Sequence, residues 1–209
     1  AVTGRVQQAL QSASNLTFLP PLLFINSSTP YSGLADFSSL DQMVRLALLE
    51  SVKFHACPRW TIDPLRQYLV TLHTARGDVV LQLFPEKAPL AVNNFVFLAQ
   101  AGWYDNIPIH RVDEGFAVQT GDPSGTGYGN PGYYFSTESA PGLTFDRAGL
   151  AAMSNIGADT NGSQFFITYA PLPELNGQFT IFGEVLTGMD VLERLSAGDT
   201  LISVTVEER

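Results

Sequence analysis

Three residues in the stretch IPIHRVDEGFAVQTG, residues 107–121, have side chains that could do chemistry: Arg111, Phe116 and Gln119. The segment sets a permanent cation and a neutral amide among apolar residues, with no triad, proton-transfer pair or metal-ligand set around them. Taken alone, an arginine close to Asp113 and Glu114 fits a plain salt bridge. The wider set points elsewhere. Phe116, Gln119, the MSN at 153–155 and the SQFFIT run at 163–168 fall at strand spacings that can place them on one face.

The other candidates carry less. The loop GDPSGTGYGNPG, residues 121–132, is rich in glycine, but no helix follows it, Pro131 intervenes and no P-loop lysine is present, so it reads as a long surface excursion rather than a phosphate cradle. Ser163 lies in TNGSQFF without a nucleophile elbow. His110 reads as a satisfied core histidine and His73 as an exposed strand position, which leaves no triad order for a hydrolase. His55 and Cys57 form an H-x-C pair with nothing nearby to complete a tetrahedron, so no metal site is expected. The RGD at 76–78 consists of ordinary turn residues, and the sequons at Asn15, Asn26 and Asn161 are short enough to arise by chance.

These residues have to be positioned by regular elements. From Tyr68 onward the chain reads as eight short strands: YLVTLHT, DVVLQLF, IPIHRV, GFAVQTG, AGLAAMS, SQFFITY, FTIFGEV and LISVTVEE. Two helices interrupt them. APLAVNNFVFLAQAG has Val92, Phe95, Val96 and Ala99 as its buried stripe and Gly102 at its end, and a second helix is expected around GMDVLERLSA. Many short strands with two helices predict a closed antiparallel barrel, mainly β, with helices capping its ends. Residues 1–66 differ in texture. VTGRVQQALQSA suits a short helix, FLPPLLFINSSTPYSG is extended, and SSLDQMVRLALLESVKFH is amphipathic, with Ser39 and Gln42 as a capping box and Leu40, Met43, Val44, Ala47 and Leu48 on one face. The organisation expected is a partly helical extension, 1–66, packing on a barrel domain, 67–209.

Composition limits the function classes. With 209 residues, 45% hydrophobic and 15% charged, the chain suits one cored domain plus extra structure. A net charge of −9 argues against nucleic acid as a partner. Cys57 is the sole cysteine, so no intramolecular disulfide forms. No apolar run reaches bilayer-spanning length. The chain opens on Ala1 and carries an extra N-terminal segment, from which a bacterial cell-envelope or exported protein is expected, with the cytoplasm as the alternative.

The residues from about Tyr68 to Glu208 resemble the cyclophilins, the barrel-type peptidyl-prolyl cis–trans isomerases. HRVDEGFAVQTGDPSGTG is similar to the family's arginine-phenylalanine-glutamine segment with its glycine loop. GLAAMSNIGADTNGSQFFIT, LNGQFTIFGEV and FPEKAPLAVNNFVFLAQAGWYDN match further family stretches in collinear order. The resemblance implies an eight-stranded barrel with two capping helices and an isomerase of Xaa-Pro bonds in folding proteins, with no cofactor and no covalent intermediate. It implies Arg111 as the catalytic cation. It implies Phe116, Ala117, Gln119, Ser154, Asn155, Gln164, Phe166, Glu174, Leu175 and Phe179 as the substrate-binding set. Three of these depart from the family pattern: Ala117 stands for a pocket methionine, Glu174 for the tryptophan that helps bind cyclosporin, and Phe179 for a pocket histidine. Proline-containing polypeptides are therefore the expected partners, cyclosporin binding is expected to be weak, and a monomer is expected. A carboxylate at Glu174 would blunt the charge of Arg111 if the fold brought the two together. The alternative reading is a peptide-binding module of the same fold with little turnover.

Overall fold

The computed structural model describes residues 23–25, 29–31 and 37–209. The helix expected over VTGRVQQALQSA and the sequons at Asn15 and Asn26 lie outside the described residues. The chain separates into two compact units, Ala1–Lys53 and Phe54–Arg209. Residues 54–66, grouped with the extension on texture, cluster with the larger unit. Phe54 donates its N–H to Pro131 O at 2.8 Å and sets its ring 5.1 Å from Phe97, while Thr61 N–H donates to Asn93 Oδ1 at 2.7 Å.

In the first unit, β1 (Leu23–Ile25) and β2 (Thr29–Tyr31) form an antiparallel pair. The helix α1 (Phe37–Glu50) follows. It starts at Phe37, two residues before the expected cap Ser39, which therefore lies within its first turn.

The second unit is a nine-stranded antiparallel sheet. In chain order its strands are β3 (Tyr68–Thr74), β4 (Gly77–Leu83), β5 (Ile107–Pro108), β6 (Arg111–Asp113), β7 (Ala117–Thr120), β8 (Leu150–Met153), β9 (Phe165–Thr168), β10 (Ile181–Thr187) and β11 (Thr200–Glu208). They lie side by side as β5-β11-β3-β4-β10-β8-β9-β7-β6. The expected strand IPIHRV is thus split in two. Its first half pairs with β11 and its second half with β7, and only Ile109 and His110 separate them. The two edges of the sheet belong to one short segment, so the sheet must curl to bring β11 and β7 to its two halves. Thr120 Oγ1 donates to Pro108 O at 2.9 Å across the junction.

Helix α2 (Pro89–Gln100) plugs the curl. Phe95, fully buried, lies 5.1 Å from Tyr104, 5.3 Å from Phe165 and 5.3 Å from Phe182, ring centre to ring centre. At its C-terminus Gly102, at φ +71°, lets Trp103 N–H reach Leu98 O and Gly102 N–H reach Ala99 O, both at 3.0 Å, which is the expected glycine cap. Its N-terminus has Pro89 in the first turn and no capping side chain of its own. A distant carboxylate takes that part: Glu138 Oε1 and Oε2 accept from Leu90 N–H at 3.0 Å and Ala91 N–H at 2.9 Å. The second expected helix shrinks to one turn, α3 (Met189–Leu192), because Arg194 and Leu195 N–H already bond three residues back and the chain turns away.

Glu138→Ala leaves two helix-terminal N–H groups without their acceptor and is expected to cost about 1–2 kcal/mol. Urea unfolding followed by fluorescence would measure it, and a midpoint equal to wild type would show that water replaces the carboxylate without loss.

Candidate active site

β8 and β9 are buried on both faces, and the reason lies in two adjacent residues. Side chains alternate across a strand, so Phe165 enters the Phe95 cluster while Phe166 points into a second apolar cluster. That second cluster comprises Ala117, Phe145, Leu150, Ala152, Phe166, Leu172 and Ile181, with Phe84, Phe116, Leu143, Leu175 and Phe179 packed against it. Phe166 stacks on Phe145 at 6.0 Å and meets Phe179 edge-on at 5.4 Å.

A pocket of about 180 Å³ opens on this cluster, lined by Arg111, Asp113, Phe116, Ala117, Gln119, Ser154, Asn155, Phe166, Leu175 and Phe179. Register explains the grouping. Arg111 is opposite Gln119 and Asp113 opposite Ala117 between β6 and β7, and Gln119 is opposite Phe166 between β7 and β9. Residues directly opposite share a face, so the cation, the amide and the aromatic wall stand in a row across three strands. Ala117, at 4% exposure, forms a nearly covered floor to this pocket.

Two of the expected site residues lie elsewhere. Glu174 sits exposed in the 3-10 turn Pro173–Leu175, which brings Leu175 into the wall but leaves Glu174 out of the pocket lining. Gln164 lines an adjoining cavity of about 250 Å³, which shares Arg111, Gln119, Ser154 and Asn155 with the first and adds Tyr128, Tyr134 and Ile156. The carboxylate that pairs with Arg111 is Asp113, two residues along on the same face of β6. The salt bridge and the binding face, alternatives in the sequence, are both present. Asp113 as a pocket residue was missed there because its spacing marked it only as an ion-pair partner. The aromatic rim of the second cavity had no sequence signal beyond loop composition.

The amide network has a direction. Gln164 Nε2 donates to Gly127 O at 2.9 Å and Gly129 O at 2.8 Å, so its Oε1 faces the other way and accepts from Gln119 Nε2 at 2.9 Å. Gln119 Nε2 also donates to Ser154 Oγ at 3.1 Å. Both amide protons of Gln119 are thereby engaged. Its Oε1 accepts no hydrogen bond among the described residues and can take a peptide N–H. Asn155 Nδ2 donates to Gln178 O at 3.1 Å, which turns its side chain inward and holds the rim in place.

The glycine loop is more than a surface excursion. Asp122 is fully buried, and its carboxylate accepts from Ser124 N–H at 2.8 Å, Ser124 Oγ at 2.6 Å, Gly127 N–H at 2.8 Å and Gly129 N–H at 3.0 Å. These bonds hold up the two carbonyls that orient Gln164. At the loop's entry a Cβ on Gly121 would stand 2.3 Å from Ser163 O, so only glycine fits where β7 leaves the sheet. Asn161 is fully buried, with Nδ2 donating to Phe135 O at 3.3 Å, so its sequon has an internal structural use.

His110 departs from the expected satisfied core histidine. It is half-buried between β5 and β6, and neither ring nitrogen has a hydrogen-bond partner. Burial pushes its pKa below the usual 6.5, opposed by the charge of Asp122 and the nearby Gln164 amide and reinforced by the charge of Arg111.

Comparison with known proteins decides the family. The model of the cyclophilin type peptidyl-prolyl cis-trans isomerase/CLD family matches residues 69–208. This chain belongs to that family. Among its relatives is peptidyl-prolyl cis-trans isomerase A of Mycobacterium tuberculosis, 48% identical over 145 residues, covering 62% of this chain and 80% of that protein. Another is peptidyl-prolyl cis-trans isomerase-like 1 of Aspergillus fumigatus, 46% identical over 143 residues, covering 67% and 86%. The crystal structure of a Cryptosporidium parvum cyclophilin type isomerase matches with a TM-score of 0.65 and 36% identity, covering 69% of this chain and 99% of that one. The protein is accordingly a cyclophilin-type isomerase, mainly β, whose matched region lies within the larger unit. No helix among the described residues is long and apolar enough to cross a membrane.

His110 gives this cyclophilin a pH-dependent stability of definite sign. Its folded-state pKa lies below the unfolded value of about 6.5, so between the two the unfolded chain binds the proton more readily. Its contribution is complete above pH 6.5 and is lost as pH falls below it. Urea midpoints at pH 7.5 and 5 should fall more for wild type than for His110→Phe, and equal falls would remove His110 from the account.

Proposed function

We propose that this cyclophilin speeds rotation about Xaa-Pro bonds in folding polypeptides with Arg111 as its catalytic cation. The supporting observation is the row formed by Arg111, Gln119 and Phe166 beside an apolar pocket with no proton-transfer pair. Amide rotation faces a barrier of about 18–20 kcal/mol, because the nitrogen lone pair is delocalised into the carbonyl. The two Xaa-Pro isomers are close in energy, so lowering the barrier is sufficient. In the twisted transition state the prolyl nitrogen regains its lone pair, and a guanidinium against the ring donates to it more strongly than in the ground state. That is differential binding, and the apolar walls sharpen it by excluding water.

Phe116, Phe166, Leu175 and Phe179 wall the proline ring over Ala117. Gln119 Oε1 and the backbone at Ser154 and Asn155 hold the flanking peptide while the other half turns. Gln164 keeps Gln119 oriented. A second crystal structure of the Cryptosporidium parvum relative, obtained in the presence of the dipeptide Ala-Pro, supports proline peptides as the ligand class; it is 36% identical and covers 68% of this chain. Glu174, standing outside the wall where the resemblance puts a tryptophan, supports weak cyclosporin binding.

One observation favours a second reading. Asp113 neutralises Arg111, and a blunted cation would leave a peptide binder with little turnover.

Exchange NMR on a short Ala-Xaa-Pro-Phe peptide separates the two. Wild type should accelerate the exchange, and Arg111→Ala should slow it by about 10²–10³, as when an oxyanion donor is lost. Shifted peptide resonances at an uncatalysed rate would establish the binder instead.

A further inference from the structure

Arg111 is a long side chain with more than half of its surface exposed (57%), and neither amide of the site holds it: Gln119 donates to Ser154 and Gln164. Among the described residues its ion-pair partner is Asp113. This carboxylate lines the pocket itself, shares the face of β6 with Arg111, and sits directly opposite Ala117, which lines the same pocket. An unanchored guanidinium spreads over many rotamers, whereas catalysis of rotation requires it in one place relative to the ring nitrogen.

We propose that Asp113 is a positioning residue for the isomerase reaction, holding the Arg111 guanidinium over the proline pocket; this rests on Arg111 being the catalytic cation. Its charge opposes that of Arg111, but the cation acts on a lone pair at contact distance, where placement outweighs a partner that also faces water. Because the proline ring is held by Phe116, Phe166, Leu175 and Phe179, loss of Asp113 affects the transition state and leaves ground-state binding in place. A merely structural ion pair, half in solvent, would be worth little to the fold and nothing to turnover.

The test is a double-mutant cycle on the full chain, reading kcat and KM by exchange NMR with a short Ala-Xaa-Pro-Phe peptide. Asp113→Ala should lower kcat about five- to tenfold with KM within about twofold. Asp113→Glu should recover part of the loss, and Asp113→Ala should change nothing in an Arg111→Ala background. Asp113→Asn, which keeps the shape without the charge, serves if the alanine variant unfolds, and it should lose kcat in the same way. Unchanged or increased kcat in Asp113→Ala, or an equal loss in the Arg111→Ala background, overturns the positioning role. Full activity in Arg111→Ala alone overturns the reading on which it rests.

Discussion

A segment of seven residues, 107–113, has to serve as both edges of one sheet. Its first half is tied to β11 and its second to β7, and everything between those strands must curl to allow it. The switch falls at His110, just after Ile109 makes its last two backbone bonds, to Asp199 O and from Gly198 N–H. Arg111 is the first residue after it. The cation therefore stands where the backbone has just been re-aimed, with Gln119 opposite as the first cross-strand neighbour it can have.

The curl also divides labour between adjacent residues. Phe165 completes the aromatic plug around Phe95, and Phe166 forms the back wall of the pocket. Stability and function thus meet at a single peptide bond, because a strand's alternation gives each of its faces a different neighbour. The site is rigid where the core is rigid. Its polar half relies on a different support: the buried carboxylate of Asp122 gathers loop N–H groups, and the loop carbonyls orient Gln164, which orients Gln119. In that relay only the Asp122 carboxylate is fully buried, and the two glutamines it supports line the cavities.

His110 and Asp113 flank Arg111 with opposite tendencies. The first is a ring kept neutral by burial next to a permanent cation, and the second is a carboxylate that compensates the same cation from the pocket side. The charges that act on Arg111 and His110 are thus local, Asp113 on β6 and Asp122 in the glycine loop.

The strands, the plugging helix and the row of Arg111, Gln119 and Phe166, with Phe116 beside it, were legible in the residues, because alternation and helical stripes are local patterns and the collinear motifs specify their order. The small wall residue Ala117 and the cap Gly102 were legible for the same reason. Tertiary structure alone decided that IPIHRV splits between two edges, since a strand's partners are not written in its own spacing. It alone decided that Glu174 stays out of the pocket and Asp113 enters it, because a turn at Pro173 aims one carboxylate away while the pleat of β6 aims the other inward. It alone placed Glu138 on a helix formed 47 residues earlier and buried Asp122 in its loop, because a carboxylate's partners there are backbone N–H groups, which every sequence carries and none distinguishes.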